Sequence, residues 1–217
     1  MADFAAARED MVARQIAGRG IADAALLAAM REVPREEFVP AHMGGYAYQD
    51  SPLPIEAGQT ISQPYIVAEM IAAAGIGRGD KVLEIGAGSG YAAAVIGRIA
   101  GEVIAIERHP ELARLAAGRM ERLGYTNVRI VEGDGSAGMP DEAPFDAILA
   151  AASGSHVPET LKRQLAIDGA LVMPVGAPGD IQTLVKVTRT AEDSFDTGNL
   201  GAVRFVPLIG EEGWRER

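Results

Sequence analysis

The chain is expected to fold as an α/β domain, with a mostly parallel sheet and helices on both faces. A helical addition precedes the sheet and a pair of strands closes it. Three observations lead there. Short apolar runs alternate with amphipathic stretches over residues 80–176. A glycine-rich turn follows the first run and opens the first amphipathic stretch. Acids stand where the first runs end. Right-handed crossovers put every strand's C-terminal end on one edge, and ligands bind along that edge.

Residues 4–19 carry apolar side chains at helical spacing and stop at Gly18 and Gly20. Asp23 suits the N-cap of "AALLAAMRE". "VPREEFVP" (33–40) is closed by prolines, and 44–63 reads mostly as loop. A helix is expected from Pro64 to Ala74, ended by Gly75 or Gly77. The alternation then begins. "KVLEIG" (81–86) is a strand, "YAAAVIGRIA" (91–100) a helix and "EVIAIE" (102–107) a strand. "PELARLAAGRMERLG" (110–124) is a helix with Pro110 in its first turn. "VRIVEGDG" (128–135) and "FDAILAAA" (145–152) are strands, "PETLKRQLA" (158–166) a helix and "GALVMPVG" (169–176) a strand. "IQTLVKVTR" (181–189) and "LGAVRFVPL" (200–208) are expected to pair as a hairpin. The whole of 1–217 reads as one domain, with 1–78 preceding a core of 79–217.

Composition narrows the chemistry. The 217 residues include no cysteine, which excludes disulfides, thiolate zinc sites and cysteine nucleophiles and fits a reducing, cytoplasmic setting. No stretch approaches ~20 uninterrupted apolar residues, so no membrane span is expected, and the N-terminus shows no signal-peptide core. The net charge of −10 argues against a nucleic-acid partner. His42, His109 and His156 have no metal-ligand spacing, so no metal is expected.

"LEIGAGSGY" (83–91) places Gly86, Gly88 and Gly90 in alternation. Counted from Gly86, the sixth position of a dinucleotide fingerprint is Tyr91; counted from Gly88 it is Ala93, a tolerated variant. A nicotinamide or flavin cofactor is weakened but stays open here. The loop resembles the E/D-x-G-x-G-x-G first motif of S-adenosylmethionine-dependent methyltransferases, with Glu84 as the acid. That cofactor ends in an ammonium group an acid can attract. Glu107, ending the next strand, suits ribose hydroxyls in either cofactor class. Asp134 with Gly135 suits an adenine, although Asp-Gly is also a common turn dipeptide.

Beyond the loop, "VPREEFVP", "GQTISQPYIVAEM", "VLEIGAGSGY", "GDG", "APFDAI", "PVG" and "VRFVPLIGEEGW" occur in the order and spacing of one family. The chain resembles the protein-L-isoaspartate O-methyltransferases from about residue 8 onward. The resemblance implies a Rossmann-like methyltransferase fold and S-adenosyl-L-methionine as cofactor, with S-adenosyl-L-homocysteine as product. It implies methylation of the α-carboxylate of L-isoaspartyl residues in damaged proteins and peptides; the ester then cyclises unaided to a succinimide. It assigns Ser62 to the active site, Gln59, Thr60 and Ile61 to a loop over the cofactor, and Glu84, Gly86 and Gly88 to the first motif. It assigns Glu107 to the ribose and Asp134 with Gly135 to the adenine. The chain departs from the family's usual Thr-Ala-Ala after the fourth strand: Ala150, Ala151 and Ala152 supply no hydroxyl.

Local sequence alone reads Ser62 as the N-cap of the helix beginning at Pro64. The resemblance turns it toward substrate, and the two roles are compatible. No catalytic dyad is expected, because a carboxylate is ionised at neutral pH and an activated methyl needs no general base. Two other functions remain open: methylation of a small molecule, and cofactor binding without catalysis. A monomer is expected, and "PIEAGQTIS" is expected to be a mobile cover.

Overall fold

The computed structural model describes residues 3–215. The first helical run starts as α1, Phe4–Asp10, widens to a π-helical turn over Met11–Ile16 and tightens to a 3-10 turn over Ala17–Arg19. Asp23 caps α2, Ala24–Glu32, accepting the Leu26 N–H at 2.8 Å. "VPREEFVP" forms a 3-10 turn over Arg35–Phe38 between its prolines. Within the stretch read as loop, β1 (Leu53–Pro54) and β2 (Thr60–Ile61) pair antiparallel. Helix α3, Pro64–Ala74, follows, and Gly75 rather than Gly77 ends it in the left-handed region.

Seven strands make the main sheet: β3 (Lys81–Ile85), β4 (Glu102–Glu107), β5 (Val128–Glu132), β6 (Phe145–Ala150), β7 (Leu165–Val175), β8 (Gln182–Ala191) and β9 (Ser194–Val203). Their order is β5-β4-β3-β6-β7-β8-β9. The first five are parallel, and β8 and β9 are antiparallel. Helices α4 (Tyr91–Gly97), α5 (Pro110–Arg122) and α6 (Glu159–Arg163) complete the crossovers.

Alternate residues of each strand feed two cores. Val82, Val103, Ala105, Ala147, Leu149 and Val172 join the buried residues of α2 to α4 with Leu112 and Met120 of α5. Leu83, Ile85, Ile104, Ile106, Ile148 and Leu171 join Leu161 of α6 and Leu208. This two-sided burial is why these strands are almost uninterruptedly apolar. Among the described residues no helix is long and apolar enough to cross a membrane.

Boundaries differ most from expectation on the C-terminal side of the sheet. The helix expected at 158–166 spans Glu159–Arg163, and β7 begins at Leu165 rather than at 169. A register shift opposite Phe145 and Ala147, with Asp168 at φ 67°, absorbs the extra residues. The strand expected at 200–208 runs from Ser194 to Val203. Its ladder stops at the Gln182–Val203 pair, because the Gln182 side chain takes over Phe205: Oε1 accepts the Phe205 N–H at 2.7 Å and Nε2 donates to its carbonyl at 3.3 Å. Residues 205–209 therefore leave the sheet as a strap, and Ser153 pairs with Pro207 in a parallel bridge.

Candidate active site

A cavity of about 870 Å³ opens at the C-terminal ends of β3, β4 and β6. Its floor is the glycine loop. Gly86 and Gly88 lie at φ 83° and 55°, a region that side chains rarely adopt, so the tight path from β3 to α4 requires glycine. Glu84, the last polar residue of β3, is 2% exposed and lines the cavity. Its Oε2 has no hydrogen-bond partner. Burial, with the charge of Glu107 added, pushes its pKa up to about 8. Glu107 lines the neighbouring wall. The Gly88 N–H donates to its Oε2 at 2.8 Å and the His109 N–H to its Oε1 at 2.9 Å, which orients the carboxylate at the strand end. His109 holds the N-cap position of α5 without a side-chain cap bond and also borders the cavity. No cluster of potential metal ligands occurs among the described residues.

The opposite side is closed by Gln59, Thr60, Ile61 and Ser62, all lining residues. The cap expected at Ser62 does not form: α3 takes Gln63 as its N-cap, without a side-chain cap bond, because Pro64 already occupies the first turn. The Ser62 carbonyl accepts from Arg35 Nη2 at 2.8 Å. Arg119 of α5 stands behind the loop, donating to the Ser89 carbonyl at 3.1 Å, with Glu56 4.0 Å away. Phe205–Ile209 of the strap form a further wall, and Ala151 faces the same space beside Gly86.

Nine of the ten residues singled out from sequence thus border one cavity. Asp134 does not. Its Oδ1 accepts the Ser136 N–H and its Oδ2 the Glu211 N–H, each at 2.8 Å. The side chain therefore makes the Asp-Gly turn and holds the C-terminal segment. Gly135 does line the cavity, and a β-carbon there would come within 2.7 Å of Ile85 Cγ2. Sequence reading missed Arg35, Arg119, Gln182 and the strap. A lone arginine in an acidic turn reads as surface, and only the "VRFVPL" segment signals the strap.

A buried carboxylate with an unpartnered oxygen, close to a second carboxylate, favours a cation. That suits an ammonium or sulfonium ligand better than a pyrophosphate, an anion that binds at a helix N-terminus. Comparison with known proteins agrees. A family model described as Protein-L-isoaspartate(D-aspartate) O-methyltransferase matches residues 6–213. The chain belongs to this family. Protein-L-isoaspartate O-methyltransferase 1 of Rhodopseudomonas palustris is 60% identical over 211 residues, 97% of this chain and 86% of that protein. Protein-L-isoaspartate O-methyltransferase 2 of Pelobacter propionicus is 56% identical, covering 95% and 92%. A solved protein-L-isoaspartate O-methyltransferase superposes with a TM-score of 0.84 at 30% identity, over 94% of this chain and 66% of that one. A Plasmodium falciparum protein of the same methyltransferase name, in complex with S-adenosyl-L-homocysteine, gives a TM-score of 0.80 at 25% identity, covering 93% and 98%. The enzyme is an S-adenosylmethionine-dependent methyltransferase acting on isoaspartyl groups of proteins.

Proposed function

We propose that the enzyme methylates the α-carboxylate of L-isoaspartyl residues in damaged proteins and peptides, with Ser62 orienting the accepting carboxylate. When bound, S-adenosyl-L-methionine supplies a methyl group already activated on a sulfonium. Glu84 receives the ammonium end of that molecule, Glu107 the ribose hydroxyls, and Gly135 the adenine edge. Gln59, Thr60 and Ile61 close over it. The observation that carries this reading is that Ser62, the glycine loop and Glu107 border a single cavity.

The chain's contribution is alignment and exclusion of water. Holding nucleophile and methyl carbon in line is worth on the order of 7 kcal/mol or more. The Ser62 hydroxyl donates one hydrogen bond to a charged acceptor, worth roughly 1.5–3 kcal/mol. Ala151 supplies no hydroxyl, so orientation rests on Ser62 and on backbone groups. We further propose that residues 1–217 act as one domain, since a single core cluster runs from Met11 to Val203. The charge of −10 and the absence of cysteine support a monomer in the cytoplasm, without nucleic-acid or membrane partners.

Matched peptides carrying aspartate or isoaspartate, offered with methyl-labelled cofactor, test the reading. Label is expected only on the isoaspartyl peptide, in a form released by mild base. Label on neither peptide, or equally on both, would overturn it.

A further inference from the structure

Arg35 is fully buried and lies outside the cavity. Its Nε donates to the Ala47 carbonyl at 2.7 Å and its Nη2 to the Ser62 carbonyl at 2.8 Å. Its guanidinium carbon sits 4.7 Å from the centre of the Tyr91 ring. Phe38, from the same turn, meets that ring edge-on at 5.6 Å. Tyr91 is the first residue of α4, directly after the glycine loop, and borders the cavity. Arg35 therefore touches both halves of the site: the segment over the cofactor and the helix beneath it.

A charge in this place carries a desolvation cost. Burial pulls the guanidinium below its ordinary pKa, and only Tyr91 and Tyr48 oppose this. Nη1 has no hydrogen-bond partner. A buried cation without a carboxylate is costly to desolvate, and its two carbonyl bonds and the ring contact work against that cost. What the guanidinium supplies is geometry. Its planar fork fixes two carbonyls far apart in the chain while its face lies on an aromatic ring.

We propose that Arg35 is a positioning residue for methyl transfer. It holds the Ser62 backbone so that the hydroxyl faces the accepting carboxylate. This rests on the reading of Ser62 given above. A lysine would keep the charge but has a single ammonium in place of the fork, so it cannot hold both carbonyls and the ring together.

The test uses the full chain carrying R35K, and R35M as a second variant, each alone and combined with S62A. Steady-state kinetics on an isoaspartyl peptide are read beside thermal melting. R35K is expected to fold and to lower kcat by about 10- to 100-fold, the scale of a displacement near 1 Å. KM for the cofactor should move less than about threefold, because Glu84 and Glu107 are untouched. In the S62A background R35K should lower kcat by less than about twofold, since the hydroxyl it positions is gone. Equal losses in both backgrounds, a folded R35K with unchanged kcat, or failure of both variants to fold would each overturn the proposal. S62A alone at full turnover would instead remove the reading on which it rests.

Discussion

Glu84 shows how one residue can work against the fold and for the site. Its pKa near 8 means that the folded chain holds a proton between pH 4.5 and 8 that the unfolded chain has released. Stability therefore falls as pH rises through that window. E84Q removes the penalty. It is expected to raise the melting temperature at pH 8 by about 3 °C or more, with the gain shrinking toward pH 4. It should also weaken S-adenosyl-L-homocysteine binding by about tenfold or more, because the ion pair with the ammonium becomes an ion–dipole contact. Melting curves across pH 4–8 and calorimetric titration measure both. A variant that melts lower at pH 8 contradicts the assignment. The meeting of Glu84, Gly86, Gly88 and Glu107 at one cavity was legible in the sequence because it depends on local spacing along a strand and its turn. Asp134 was half legible. The turn was visible, but the partner of its second oxygen, Glu211, is 77 residues away in sequence. Arg35 was illegible for the same reason, since its carbonyl partners are set only by the fold.

At the scale of elements, the C-terminal strap is the part that most needs long-range contacts. Gln182 holds Phe205, the Leu208 N–H donates to the Ser153 carbonyl at 2.9 Å, and Trp214 Nε1 donates to the same carbonyl at 2.9 Å. Asp134 and Ser136 hold the N–H groups of Glu211 and Glu212. Burial alone would raise the Asp134 pKa, but the backbone N–H groups of Glu211 and Ser136 outweigh it and hold the carboxyl below its ordinary value. That stabilisation is present above the ordinary carboxylate range and is lost as pH falls through the lowered value. D134A should therefore free the strap at neutral pH. The chain has one tryptophan, so Trp214 emission reports this segment alone. A red shift at pH 7 with an unchanged far-ultraviolet circular dichroism spectrum is the expected result. Emission identical to wild type would show that Asp134 is not a latch. The sequence misplaced this region because Ser194–Asn199 of β9 is polar and mostly exposed, whereas the strand-like "FVPL" lies on the strap. Edge strands and straps reverse the usual relation between apolar runs and sheet pairing.

For the whole molecule, the parallel core was readable because both of its faces are buried, which leaves an unmistakable strand–helix alternation. The antiparallel pair beyond β7 was anticipated as a hairpin, but the point where its ladder ends depends on a side chain, Gln182, acting in place of a backbone. This architecture brings β2, α3, the glycine loop and the strap around one cavity at a single sheet edge. The central claim is that this cavity holds cofactor and acceptor together, with Ser62 beside the acceptor. A crystal structure with S-adenosyl-L-homocysteine and an isoaspartyl peptide tests it most directly. The ribose hydroxyls are expected on Glu107 and the isoaspartyl α-carboxylate within hydrogen-bond distance of Ser62 Oγ. A ribose bound away from Glu107, or a carboxylate seated elsewhere than at Ser62, would contradict it.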